Sequence, residues 1–421
     1  MKLNVKKYLI IILTILLILL NINTFTYAET AGNKNLNLYS KSAILIDYDT
    51  GSVLYSKNAN DKMYPASTTK ILTAIIAIEK CNLDDIVTVK KSAIKTIPSG
   101  YSSTYLNEDE QISVDSLLKV LLVHSANDAA NVLAEHISGT VNDFSNLMNE
   151  KAKEIGCKNS HFVNPSGIHD DNHYTTASDL ALIAKYCMSN SKFKEYVSMK
   201  NCIIPATNKS DARKYINTND LIITSSKYYI KECIGIKTGF TSQAQNCLVS
   251  ACEKDGLTLI CVVLGAGTTE LGQSARNVDS TTLFEYGYSH YSIKTIASKD
   301  TIMKNIDVKK GDKETKNLDL VLANDISALY KSENNDISFD ISLNENISAP
   351  IAKGTTVGTI TYNVNGLKYT ENLLASHDVE KSKLLLRIFE ILLAILIIFI
   401  LIIVIKNKTN YKRHKIKRIR Y

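Results

Sequence analysis

Apolar positions along the chain form three kinds of pattern. At each end they run unbroken or nearly so. Leu9–Leu20 is twelve residues long, and Leu384–Ile405 is 22 residues long with only Arg387 and Glu390 inside it. Between the ends, several stretches carry the helical rhythm. Ile71, Ile75 and Ile78 recur at i, i+4 and i+7, which predicts a helix with one buried stripe starting just after Pro65. Val114, Leu117, Leu118, Leu121 and Leu122 do the same, as do Phe144, Met148, Ala152 and Ile155 ahead of Gly156, a C-cap residue type. Short strand-like runs make up the third kind. Ala43–Asp47 and Val53–Ser56 flank Asp49-Thr50-Gly51, which predicts a hairpin. Ile234–Phe240, Cys247–Cys252 and Leu257–Leu264 are joined by short polar turns, and a helix around Gln273–Tyr288 follows.

From about Tyr291 the texture changes to short β-like pieces, with an Asn365-Gly366 hairpin signal near the end. The expected organisation is therefore a body over residues 36–290 and a small all-β module over 291–376. Strands at both ends of the body with helices between them predict an antiparallel sheet covered by helices, an α+β arrangement.

The terminal runs differ in kind. Lys2, Lys6 and Lys7 precede the first, and Thr26-Tyr27-Ala28 follows it as a small-x-small cleavage site, so residues 1–28 read as a secretory signal peptide. The second, over 384–405, would cover about 33 Å as a helix, enough to cross a bilayer core. The tail at 406–421 has eight Lys or Arg and no acid, marking the cytoplasmic end. A buried or interfacial helix is the alternative, given the Arg387/Glu390 pair.

Charge has to be read with those ends set aside. Residues 1–28 and 406–421 hold 11 of the 49 basic residues and none of the 42 acidic ones, which leaves residues 29–405 slightly acidic despite a net +7 overall. A nucleic-acid partner has no electrostatic support. The eight cysteines are scattered through apolar runs without a Cys-x-x-Cys, so buried free thiols are expected rather than a zinc ribbon.

The candidate chemistry starts at Ser67-Thr68-Thr69-Lys70. A serine hydroxyl needs an adjacent base, and a lysine can be that base where burial and positive neighbours lower its pKa. Three-residue spacing stacks the two side chains on one helix face. Four other Ser-x-x-Lys matches occur, at Ser92, Ser116, Ser189 and Ser191, so the spacing alone carries little. Order carries more. Ser125-Ala126-Asn127 falls in the break after the Val114–Leu122 helix, and Lys237-Thr238-Gly239 occurs once, at the end of a strand.

In this order, the three motifs resemble those of the serine D-alanyl-D-alanine carboxypeptidases, low-molecular-mass penicillin-binding proteins related to class A β-lactamases. Asn127-Asp128-Ala129-Ala130, Ala134-Glu135-His136-Ile137, His161–Gly167 and Gly235–Thr241 are similar to family segments as well. The resemblance implies a β-lactamase/transpeptidase-like fold over 36–290 with the small β domain and C-terminal attachment behind it. It also implies roles. Ser67 would attack the carbonyl between two terminal D-alanines, Lys70 would be its base, and Ser125 would relay a proton to the leaving amine. Asn127 would hold the substrate amide, while Lys237 and Thr238 would receive its carboxylate. The oxyanion would lie between the backbone N–H groups of Ser67 and Phe240, and Gly239 would let the strand approach the substrate.

The implied partners are peptidoglycan stem peptides, β-lactam antibiotics as covalent inhibitors, and the membrane through the C-terminal helix. The protein would act at the cell membrane with its catalytic domain on the extracellular face. No cofactor is implied. His161, His169 and His173 with Asp170 and Asp171 could suggest a metal, but they lie in a polar loop without His-x-His or His-Glu-x-x-His, and packing beside the site is preferred. The competing functions are a D,D-endopeptidase, a β-lactamase, and an inactive cell-wall-binding relative. Against the β-lactamase stands Asn164-Pro165-Ser166, where that family carries a Glu-Pro-x-x-x-Asn loop.

Overall fold

The computed structural model describes residues 36–418. The expected signal peptide lies outside the described residues. The chain divides into two compact units, one up to Ser292 together with Lys331–Glu333, the other made of Ile293–Tyr330 and the residues after Glu333.

The first unit is built on a five-stranded antiparallel sheet. Its strands are β1 (Ser42–Asp47), β2 (Val53–Lys57), β3 (Cys233–Thr241), β4 (Gln245–Lys254) and β5 (Leu257–Ala266), in the spatial order β2-β1-β5-β4-β3. The first two strands of the chain thus join the last three through the β1–β5 pair, with Leu45 opposite Cys261. β4 and β5 are buried over most of their length on both faces, which is why they read as near-continuous apolar runs. β3 is an edge strand, so one row of its backbone groups is left for other partners.

Helices α1 (Lys70–Lys80), α2 (Val114–Val123), α3 (Asn127–Ser138), α4 (Val141–Ile155) and α5 (Ala177–Met188) fill the chain between β2 and β3. Their apolar stripes merge with the inner sheet face in one core that includes Ile71, Leu72, Leu118, Leu121, Phe144 and Ile260. Local signals set their ends. Ser113, Thr140 and Thr176 each accept a backbone N–H three residues on, and Gly156 closes α4 in the left-handed region at φ 103°. α6 (Ala275–His290) follows β5. Two features were not anticipated from the pattern. One is a hairpin of Asn201–Ile204 with Arg213–Ile216, the other a pairing of Ile86–Thr88 with Gln111–Ser113. Both are three or four residues long, too short for a period-two signal to stand out.

In the second unit, strands β6 (Ile302–Asp307), β7 (Asn317–Leu322), β8 (Ile337–Leu343), β9 (Thr356–Val364) and β10 (Leu367–Ala375) form a sheet ordered β6-β7-β10-β9-β8. Asn365 and Gly366 turn β9 into β10 with φ of 54° and 86°, the paired positive values of a type I′ hairpin. Leu318, Leu320, Leu322, Ile360 and Leu373 make its core. A final helix, α7, runs Leu384–Arg418, and its first 26 residues are apolar and long enough to cross a membrane by length and composition. It continues helical into the basic stretch, since Lys and Arg are good helix formers.

Candidate active site

Ser67 lies one turn ahead of α1 rather than inside it. Ala66–Thr69 forms a 3-10 turn, and α1 begins at Lys70. In a 3-10 turn residues i and i+3 eclipse, which places Lys70 directly against Ser67. Lys70 Nζ is 2.9 Å from Ser67 Oγ, and it donates to Asn127 Oδ1 at 2.8 Å and to Ser166 O at 2.6 Å. The lysine is fully buried. None of the lysines in the other four Ser-x-x-Lys matches is buried, and this separates the one match from the rest. Burial, and next the positive charge of Lys237, hold the Lys70 amine well below its ordinary pKa.

Two glycines let three segments meet here. Gly167 has φ 81°, and a Cβ on it would come within 1.9 Å of Ala66 O. A Cβ on Gly239 would fall 2.9 Å from Ser67 N, so the edge strand β3 passes directly beside the serine backbone. Ala66 itself is strained, with φ 48°. The loop that presents Ser166 O is folded by Asn164, whose Oδ1 accepts from Ser166 N, Ser166 Oγ and Gly167 N. Behind the turn, His173 Nδ1 accepts from Val163 N at 3.1 Å, so its Nε2–H donates to Thr69 Oγ1 at 2.8 Å. Burial lowers the His173 pKa to about 3 and keeps the ring neutral. Among the described residues no three His, Cys, Asp or Glu side chains are grouped to hold a metal ion.

Ser125 and Asn127 come from the break between α2 and α3. Ser125 has φ 67°. Asn127 also donates from Nδ2 to Ser102 O at 2.7 Å, and its neighbour Asp128 accepts from Ser103 Oγ, Thr104 N, Thr104 Oγ1 and Leu106 N. Those bonds anchor Ser102–Leu106, and the Ser99–Ser102 stretch leading into it lies across the groove from β3. A groove of about 410 Å³ runs between the two, lined by Ser67, Ser102, Ser125, Asn127, Thr238, Gly239 and Phe240 among others.

Seven of the eight residues singled out in the sequence therefore surround one groove or face Ser67 directly. Lys237 lies deeper. It is fully buried, its Nζ donates to Thr238 O at 3.1 Å, and burial and then the Arg276 charge bring its pKa to about 7. The cation on the groove wall is Arg276, at the start of α6. Thr218 also lines the groove, its Oγ1 2.6 Å from Thr238 Oγ1. Neither residue belongs to a recognisable motif. They reach the groove only because the sheet brings the segments before and after β3 alongside it.

A serine against a buried amine held well below its ordinary pKa, next to an edge strand and a groove wall that carries Thr238 and Arg276, has the layout of a serine acyl-transfer site. The family profile described as D-alanyl-D-alanine carboxypeptidase matches residues 28–268, and the profile of the penicillin-binding protein 5 C-terminal domain matches residues 291–381. The D-alanyl-D-alanine carboxypeptidase DacF of Bacillus subtilis is 33% identical over 388 residues, covering 89% of this chain and 95% of that protein. The corresponding DacA of Haemophilus influenzae is 31% identical, with 82% and 86% covered. The crystal structure of Haemophilus influenzae penicillin-binding protein 5 superposes with a TM-score of 0.63 at 29% identity, covering 83% of this chain and all of that one. The chain belongs to the D-alanyl-D-alanine carboxypeptidase family of serine peptidases.

Proposed function

We propose that this protein removes the terminal D-alanine from peptidoglycan stem pentapeptides through an acyl-enzyme on Ser67. The observation that carries the reading is the setting of Lys70 Nζ. A neutral amine has two N–H groups and one lone pair. With the N–H groups directed at Asn127 Oδ1 and Ser166 O, the lone pair faces Ser67 Oγ at 2.9 Å. It takes the serine proton as Oγ attacks the carbonyl of the penultimate D-alanine. The oxyanion that forms is met by the backbone N–H groups of Ser67 and Phe240. Ser125, on the same groove, returns a proton to the departing amine. D-alanine leaves, and water then hydrolyses the ester.

Asn127 Oδ1 has a second lone pair with which to accept the substrate's amide N–H. The free carboxylate falls to the Thr238 hydroxyl and the Arg276 guanidinium, a rigid, permanently charged donor, with the Lys237 charge one layer below. Benzylpenicillin offers the same amide and carboxylate, so it acylates Ser67 as well.

The export and anchoring assignments complete the proposal. Residues 1–28 act as a signal peptide, 384–405 as a membrane anchor and 406–421 as a basic cytoplasmic tail, so that residues 36–376 face outward. The apolar, unburied surface of α7 supports the anchor. The test is incubation with a pentapeptide ending in D-Ala-D-Ala and, separately, a cross-linked muropeptide dimer. Release of D-alanine from the pentapeptide with the dimer intact is the expected result. Loss of dimer without D-alanine release would assign an endopeptidase, and neither reaction would reject both.

A further inference from the structure

Thr218 stands outside all three motifs, between the Arg213–Ile216 strand and a 3-10 turn at Asp220–Ile222. Its surroundings leave it little freedom. Thr218 N donates to Val123 O, at the end of α2 beside the Ser125 break. The flanking asparagines are buried and bonded into the backbone. Asn217 Nδ2 donates to Met199 O at 2.8 Å and its Oδ1 accepts from Asn219 N at 2.9 Å, while Asn219 Oδ1 accepts from Leu221 N at 3.1 Å. On this braced segment the Thr218 hydroxyl meets Thr238 at 2.6 Å, at the short end for a bond between two hydroxyls.

A hydroxyl has one proton to give and two lone pairs to receive. In the empty groove either threonine can be the donor. A carboxylate changes this, because it only accepts. When it reaches Thr238, the single Thr238 proton has to point at it, and the Thr238 oxygen is left to accept from its neighbour. Thr218 is the neighbour in place to donate. We propose that Thr218 is a positioning residue for carboxylate recognition: its O–H donates to Thr238 Oγ1 and thereby commits the Thr238 proton to the carboxylate of the substrate's last residue. Serial hydroxyls polarise one another in the same direction, so the second bond strengthens the first. This rests on the carboxypeptidase reading above and adds to it the group that sets which way Thr238 points.

The experiment compares Thr218→Val, which keeps the shape and removes the hydroxyl, with Thr218→Ser, which keeps the hydroxyl. Thr218→Ala repeats the deletion if the valine variant does not fold, judged by thermal melting. Steady-state release is measured from a peptide ending in D-Ala-D-Ala and from the same peptide with a C-terminal carboxamide, which can donate as well as accept. The valine variant should raise KM for the carboxylate peptide about 5- to 10-fold. Its kcat should stay within about twofold and the carboxamide peptide should be much less affected, because the contact acts in ground and transition states alike. The serine variant should restore KM. An unchanged KM in the valine variant overturns the proposal, as does an equal loss on both peptides or a serine variant no better than valine. Wild-type protein that releases neither D-alanine from the first peptide nor D-alaninamide from the second overturns the carboxypeptidase reading and this inference with it.

Discussion

The two units bury different things. Among the described residues, every buried charged or polar side chain falls between Ser40 and Ser280, and these include Lys70 and Lys237. The β-sheet unit closes over leucine, isoleucine, valine, alanine and one tyrosine. Removing a charge from water is costly unless it is paired or neutralised, so a unit that needed only to be stable would be expected to resemble the second. The first accepts two desolvated amines, and burial holds both well below their ordinary pKa, the change that the proposed role of Lys70 as a base requires. Hydrogen bonds to Asn127 and Ser166 take the place of water around that amine. Polar burial thus marks the unit that carries the chemistry.

The contrast can be broken most sharply at the serine and its base. Ser67→Ala and Lys70→Ala should each lower kcat for D-alanine release by at least about 10⁴-fold, and the double variant should be little worse, because the pair acts as a unit. Melting should show both still folded. An additive double variant would mean that the two residues act independently.

Leu320→Ala probes the other side. It opens a cavity in the β-unit core and should cost that unit about 2–5 kcal/mol in denaturant unfolding. D-alanine release under native conditions should be unchanged, since no groove residue belongs to that unit. A parallel loss of activity would show that the β unit contributes to the chemistry.

Gly167→Ala should have a smaller effect on stability, about 2–3 kcal/mol, from the positive φ and the overlap with Ala66 O. Penicillin acylation should slow along with it, because the same contact sets Ser166 O against Lys70. Normal acylation in this variant would mean the loop does not position the base.

The smallest effect is a pH slope. Lys237 titrates at about 7 when folded and near 10.5 when unfolded. Between those values the unfolded chain binds the extra proton, so stability should rise with pH across this window and level off below about 7. Lys237→Met should remove up to about 1.4 kcal/mol of stability per pH unit from that slope. Identical slopes in the two proteins would place the lysine in a better-solvated site.

Much of this was legible in the sequence wherever a local rule operates. The amphipathic stripe ending at Val123, the Gly156 cap and the Asn365-Gly366 hairpin depend on residues within a turn of one another, and each appears as read. Motif order brought Ser67, Ser125, Asn127 and Thr238 to one groove, with Lys70 against the serine, for the same reason, as each motif lies within or directly beside a helix or strand with a strong pattern. Arg276 and Thr218 were not legible. Arg276 is 38 residues beyond Thr238 and Thr218 is 20 before it, and only the sheet's edge registers them on one wall. The depth of Lys237 was equally hidden, because strand alternation does not say how thick the layer above a side chain will be. Ser67 in a 3-10 turn rather than an α-helix also escaped the pattern, since the apolar period starts only at Ile71.

The most direct test of the central claim, that Lys70 arms Ser67 for acyl transfer, is intact-protein mass spectrometry after brief exposure to benzylpenicillin, followed by peptide mapping. The wild type should gain a single penicilloyl group on the peptide containing Ser67 and keep it well beyond the time of one peptide turnover. Asn164-Pro165-Ser166 occupies the neighbouring loop and supplies no carboxylate to activate water. Lys70→Ala should form the same adduct far more slowly, and Ser67→Ala should form none. A persistent adduct on another residue, or rapid destruction of many equivalents of penicillin with no adduct at all, would contradict the account.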